Sequence, residues 1–297
     1  MTDATPDPDR LTRALIHLLD VEPGQEAGHF IGRRKPGGEG RVFGGQVVGQ
    51  APAAAARTVA EDRPCHSLHC YFMRPASEDH EIDYHVEADM DGRAFSNRRI
   101  VARQQGKAIF NMIASFHHEE AGPAHAIAMP DVPSPDGLLS LGDLVGTFPD
   151  MPIGPVTRRM ATQPSPIEFR PVGAIQQGVL DTVAEPDLRC WIRIGGGPLG
   201  LGQGMQRALL GFASDFLLLA TAYRPHRLEI GGSQVVSASI DHSIWFHGAV
   251  ECGEWLLYAM ESPFAGAGRG FARGHFFTWD GRLVASVAQE GLIRLKM

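Results

Sequence analysis

One carboxylate stands inside the run Phe212-Ala213-Ser214-Asp215-Phe216-Leu217-Leu218-Leu219. An isolated charge buried among such neighbours is very costly. Asp215 must therefore be paired with a cation, hold its proton unusually tightly, or face a cavity that contains water. In the last case it belongs to a functional site. Capping a neighbouring backbone or paired with an arginine it is structural, since ion-pair networks and functional sites perturb acids alike. The second notable residue is Gln289. Leu283, Ala285, Val287 and Gln289 share one face of the last strand-like run by period-two alternation. A buried amide needs hydrogen-bond partners, whereas at a frayed strand end it is merely solvated. For both residues the functional and the structural alternatives stand at this point.

Other motifs compete less well. Gly195-x-Gly197-x-x-Gly200 fits the dinucleotide-binding pattern. However, Pro198 interrupts it, and no clean parallel strand with a ribose-binding acid follows, so it reads as a glycine-rich loop. No G-x-S-x-G nucleophile elbow occurs. The adjacent His117 and His118 point to opposite faces of a strand. His66-x-x-His69 and Asp241-His242 lack a third ligand at useful spacing, so no metal site is expected. His226 follows Asp215 at the wrong distance for the D-x-N-x-x-x-x-H pattern of hydratases built on a similar unit.

The elements that carry these residues form two similar series. Leu11, Leu15, Ile16, Leu18 and Leu19 make one stripe of a short helix over 9–20. The glycine-rich stretch 36–45 leads into an apolar, small-residue helix over 46–60, with Pro52 kinking it or marking its first turn. Strands are expected over 66–74, 82–89 and 96–117, the last turned at Gln105-Gly106. Residues 119–171 hold ten of the 21 prolines (123, 130, 133, 135, 149, 152, 155, 164, 166 and 171). Proline cannot sit in central strands, so the segment reads as a linker with at most one short helix, over 138–148. The first series then returns: an apolar helix over 205–223, strands over 234–247 and 255–264, and a pair over 268–296 turned at Asp280-Gly281. The closing segments align Gly106 with Gly281 and Lys107 with Arg282, which sets Ala114 against Gln289.

This is the pattern of a duplication. It divides the chain into an N-terminal unit with its leading helix (1–118), a proline-rich linker (119–165) and a C-terminal unit carrying Asp215 and Gln289 (166–297). A helix apolar on nearly every side must be covered all round, and the cover each unit supplies is a sheet. The class is α+β, with a mainly antiparallel sheet wrapped about a helix.

Composition sets the outer bounds. The 297 residues carry a net charge of −7 and no Lys/Arg-rich run, which argues against a nucleic-acid partner. Four scattered cysteines make neither a disulfide framework nor a C-x-x-C pair. No apolar run is long enough to span a membrane, and neither an apolar leader nor a C-terminal S-K-L address is present. A soluble cytoplasmic protein is expected.

Several longer runs resemble one family. Phe43-Gly44-Gly45-Gln46-Val47-Val48-Gly49-Gln50-Ala51, His66 to Pro75, Leu210-Gly211-Phe212-Ala213-Ser214-Asp215, Ile240-Asp241-His242-Ser243-Ile244-Trp245-Phe246-His247 and Gln289-Glu290-Gly291 are similar, in order, to blocks of the TesB-type acyl-CoA thioesterases (acyl-CoA thioesterase II). The resemblance runs from about residue 29 to the C-terminus. It implies a double hotdog fold: two units, each a central helix wrapped by an antiparallel sheet. It implies a catalytic Asp, Thr or Ser, and Gln that together hold a water, and these fall on Asp215, Ser239 and Gln289. Ser239 comes from the resemblance alone, since alternation merely groups it with Ser237, Asp241 and Ser243. The implied reaction is hydrolysis of acyl-CoA to a carboxylic acid and CoA. It needs no cofactor, because CoA is part of the substrate. Backbone amides must stabilise the oxyanion, and Gly44, Gly45 and Gln46, entering a helix N-terminus, are the candidates. The family also implies a homo-oligomer of double-hotdog chains. A hotdog acyl-CoA hydratase and a degenerate acyl-CoA-binding module are the competing readings.

Overall fold

The computed structural model describes residues 8–151, 153–179, 185–226, 228 and 235–296. The leucine stripe forms helix α1 (Pro8–Leu19), which packs on the two central helices. Short strands β1 (Val21–Pro23) and β2 (His29–Gly32) lead to helix α2 (Gly44–Ala56). Strands β3 (Cys65–Phe72), β4 (Ile82–Asp91), β5 (Phe95–Gln104) and β6 (Lys107–His117) follow. The β5–β6 hairpin turns at Gln105 (φ 50°) and Gly106 (φ 74°), a two-residue turn of the primed kind that matches strand twist.

After a proline-rich stretch containing helices α3 (Leu141–Thr147) and α4 (Pro155–Thr162), the order repeats. Strands β7 (Ile167–Pro171) and β8 (Asp187–Ile194) precede helices α5 (Gln203–Ser214) and α6 (Ala220–Tyr223). Strands β9 (Val235–Ser239), β10 (Asp241–Phe246), β11 (Leu256–Gly266), β12 (Arg269–Thr278) and β13 (Leu283–Leu295) complete the described chain.

All the strand pairings are antiparallel, in the order β1-β2-β4-β5-β6-β3-β10-β13-β12-β11-β8-β7, with β9 paired to β13. Read outward from the centre, β3-β6-β5-β4-β2-β1 and β10-β13-β12-β11-β8-β7 are the same order. The halves meet edge to edge at β3 and β10, where Leu68 faces Ile244 and His69 faces Ser243. Helices α2 and α5 lie antiparallel against each other inside this sheet. Their close approach requires glycine: side chains on Gly45 and Gly49 would strike the carbonyls of Phe212 and Ala208, and Gly211 faces the Val48 carbonyl. Pro52, four residues on, has no N–H to give that carbonyl. The architecture is the double hotdog that the resemblance implies.

Three expectations need correction. The apolar run 205–223 is two helices. α5 stops at Ser214, with Asp215 as its cap, and Leu217 takes a left-handed φ of 67°. α6 then settles where Gly270 and Gly291 leave the sheet bare, since a Cβ on either would overlap Ala222 or Leu219. Hydropathy marks such a run as buried but not where it must bend. The strand expected over 234–247 is likewise broken, with β9 and β10 both pairing β13 but one residue out of register. Its first residue, Gln234, lies outside the described residues. Finally, the proline-rich stretch has two helices. Ser140 and Asp143 form a capping box for α3, and Pro155 occupies the first turn of α4, where a missing N–H costs nothing.

The helix expected over 46–60 spans 44–56. In β13, a bulge opposite Phe276 and Phe277 turns Leu283 away from Ala285 and Val287, so it packs with Trp191 and Phe277 instead. Cys65, Cys70, Cys190 and Cys252 are free and buried.

Candidate functional site

Asp215, Ser239 and Gln289 converge from three elements. Gln289 is 1% exposed on the inner face of β13, opposite Ala272 of β12. Its side-chain nitrogen donates to Asp215 Oδ1 at 2.7 Å and to Ser239 Oγ at 2.9 Å. These two contacts use both amide protons. Gln289 Oε1 has no partner among the described residues.

Ser239 reaches this point because of the break after it. Ser239 pairs with Gly291 and Ser243 with Ala288, so the strand carries one extra residue between them. Such a bulge re-aims side chains. It is held by Ile240 N–H on the Glu290 carbonyl and by Asp241 Oδ1, which accepts the Glu290 N–H at 2.7 Å. Asp241 and Ser243, beyond the break, therefore do not accompany Ser239, whereas Ser237, before it, keeps the same face of β9. Asp241 caps the bulge, and Ser243 bonds His69 on the outer face.

Asp215 is half-buried at the C-terminal end of α5. Among the described residues no lysine, arginine or histidine forms an ion pair with it, so the arginine-paired alternative does not apply. Its second oxygen faces the N-terminus of α2. A Cβ on Gly44 would stand 2.7 Å from Asp215 Oδ2 and 3.2 Å from Phe72 Cζ. Gly44 is thus the gap that admits the carboxylate, while Gly45 admits the carbonyl of Phe212. The Gln46 N–H donates to the Phe43 carbonyl, and its side chain donates to the Arg33 carbonyl. The positive end of α2 favours negative charge at this spot.

One group of residues was missed. Ser214 Oγ lies 2.8 Å from His242 Nε2, and the Tyr258 hydroxyl donates to the Ser214 carbonyl at 2.9 Å. In sequence His242 reads only as a metal-ligand candidate, and its adjacency to Asp215 is visible only once β10 meets the end of α5. Burial pushes its pKa down, against the pull of Asp215. Burial and the charges of Asp215 and Asp241 hold the Cys70 thiol well above its ordinary range.

The rival motifs have other occupations. The 195–200 loop joins β8 to α5, and its Leu199 N–H bonds Glu251. His66 bonds Ser115, and His118 bonds Arg63. Among the described residues no group of three His, Cys, Asp or Glu is placed to hold a metal, and no helix is long and apolar enough to cross a membrane.

Two family models match the chain: "Acyl-CoA thioesterase N-terminal domain" over residues 33–117 and "Acyl-CoA thioesterase" over residues 177–292. The chain is 38% identical to acyl-coenzyme A thioesterase 8 of Homo sapiens, covering 94% of this chain and 88% of that protein. It is 36% identical to acyl-CoA thioesterase 2 of Haemophilus influenzae, covering 94% and 96%. It is also similar to the solved structure of the acyl-CoA thioesterase II TesB2 from Mycobacterium marinum. That match has a TM-score of 0.77 at 33% identity and covers 95% of this chain and 98% of the other.

Proposed function

We propose that this chain, which belongs to the acyl-CoA thioesterase family and hydrolyses acyl-CoA thioesters, does so with a water held by Asp215, Ser239 and Gln289. The single observation that carries the assignment is the Gln289 amide. It bonds a carboxylate and a hydroxyl from two other elements at 2.7 and 2.9 Å, and among the described residues no cation pairs with that carboxylate.

The chemistry follows from the donors. Gln289 spends one proton on Asp215 Oδ1, which leaves Oδ2 to accept a proton from water. Ser239 Oγ accepts from Gln289, so its own proton can be given to the water oxygen and orient a lone pair at the thioester carbonyl. As that oxygen bonds the carbonyl carbon, Asp215 takes the water proton. The carbonyl oxygen becomes an oxyanion that meets the amides of Gly44 and Gly45 at the α2 N-terminus. Gln46, whose amide already serves Phe43, completes the turn. Collapse breaks the carbon–sulfur bond. The departing thiolate takes the proton from Asp215, giving the carboxylic acid and CoA. Water is the sole co-substrate, and no cofactor is called for.

In this reading residues 1–118 are the N-terminal unit, 119–165 the linker and 166–297 the unit that supplies all three side chains. The protein acts in the cytoplasm as a homo-oligomer. Tyr71, Ile113 and Trp245, exposed on the outer face near the β3–β10 seam, support the latter. Light scattering tests the oligomer.

The deciding experiment is CoA release from an acyl-CoA chain-length series by the wild type and by Asp215→Asn, Ser239→Ala and Gln289→Ala. A hydratase would leave the thioester intact, and a binding module would release nothing. Full turnover by Asp215→Asn would sink the assignment.

A further inference from the structure

Asp215 caps the C-terminal end of its helix, and a base at a helix end is only as well placed as that end. The residue before it is pinned on two sides by the sheet. The Tyr258 hydroxyl of β11 donates to the Ser214 carbonyl at 2.9 Å. The Ser214 hydroxyl donates to the Gly211 carbonyl at 2.9 Å and so has no second proton to give. Its 2.8 Å contact with His242 Nε2 must therefore run the other way, with Nε2–H donating to Ser214 Oγ. That fixes the tautomer: Nδ1 of His242 carries the lone pair. The ring is fully buried, and Nδ1 has no partner among the described residues. A buried polar atom left unpaired is a cost that calls for a reason.

We propose that His242 is a positioning residue for Asp215: through Ser214 its neutral imidazole holds the end of α5, so that the carboxylate meets the water shared with Ser239 and Gln289. This rests on Asp215 being the base. The titratable groups around the ring are Asp215 beyond α5, the Cys70 thiol of β3, whose sulfur donates to the His242 carbonyl, and Tyr258 of β11. Asp241, beside it in sequence, is engaged by the Glu290 N–H. Protonating Nδ1 would put a second N–H where no acceptor waits, so the neutral donor form is the one the site keeps.

The test is steady-state kinetics per folded molecule on His242→Leu, His242→Gln, Ser214→Ala and the His242→Leu/Ser214→Ala pair, with melting curves alongside. A misplaced base costs kcat and spares binding, so His242→Leu should lose about tenfold or more in kcat while KM moves less than about threefold. His242→Gln keeps an N–H within reach of the hydroxyl and should recover most of that loss. The double variant should fall no further than its worse parent, because both remove one contact.

Wild-type kcat in folded His242→Leu overturns the proposal whatever its melting temperature, and so does an additive double variant. If His242→Leu does not fold, Ser214→Ala decides: lowered kcat at constant KM supports the proposal, and unchanged kcat overturns it. Asp215→Asn in the same assay separates the two levels. An active Asp215→Asn removes the premise. An inactive one beside fully active His242→Leu overturns only the role of His242.

Discussion

Asp215 sits between two opposed helix ends, the carbonyl end of α5 and the amide end of α2, and its fixed partner is a neutral amide. Asp215→Asn should therefore cost little stability, because no buried cation is left behind. Turnover should fall by at least ~10²-fold, the scale of lost general-base catalysis. Gln289→Ala should show the same split: a large loss of CoA release with a nearly unchanged melting temperature, since Ala114 fills the matching position in the first copy without harm. Gly44 offers the converse test. Gly44→Ala keeps the helical start of α2 but places a methyl 2.7 Å from Asp215 Oδ2. The expected variant folds well and turns over slowly. A fast Gly44→Ala would mean that the carboxylate does not work where it now stands.

The bulge between β9 and β10 is the element on which the site depends. It brings Ser239 to Gln289, and Asp241 holds it by accepting the Glu290 N–H. Asp241→Ala should destabilise by about 1 kcal/mol, at the low end for an orphaned donor because Glu290 is half-exposed to water. It should also lower kcat as Ser239 drifts. Asp241→Asn, which keeps the acceptor oxygen, should restore both in denaturant unfolding and in turnover. The first copy has a similar irregularity after Cys65, which pairs with Phe116 as Ser239 pairs with Gly291. The bulge therefore belongs to the repeat, and the hydroxyl belongs to the second copy alone.

At the scale of the whole molecule the pseudo-twofold axis assigns each site residue a counterpart. Swapping β3 with β10 sets Cys65 against Ser239, and swapping β6 with β13 sets Ala114 against Gln289. The glycine contacts of the two helices set Pro52 against Asp215 and Arg207 against Gly44. A buried thiol with its pKa raised to about 12, a methyl and a proline cannot hold a water, and Arg207 spans the space by bonding the Cys65 carbonyl. Titration with a non-hydrolysable acyl-CoA analogue should give one tight site per chain, and two equal sites would contradict this.

Stability should also depend on acid. Burial lowers the pKa of His66, His69, His242, His247 and His275 below the ordinary 6.5. Between the folded values and 6.5 the unfolded chain binds more protons. Their contribution is complete above pH 6.5 and is lost as the pH falls below it. Melting temperature followed from pH 7.5 downward checks the sign.

Local pattern was enough for the duplication, the buried central helices and the hairpin turns, and it singled out two of the three candidate site residues. Each of these follows from side-chain periodicity, from turn chemistry, or from a polar group where its neighbours are apolar. Asp215 and Gln289 stand out because burying them demands partners. Ser239 does not, since a serine on a strand suits either face, and only resemblance to a known family drew attention to it. What the tertiary structure alone decided is how far apart these residues are. The end of α5 at Ser214, the extra residue before Asp241 and the His242–Ser214 contact all arise where β10 and β13 meet the end of α5. An apolar run records that it will be covered. Where it bends, and which lone pair its neighbour offers, depend on contacts 28 to 74 residues away along the chain, and those no local periodicity contains.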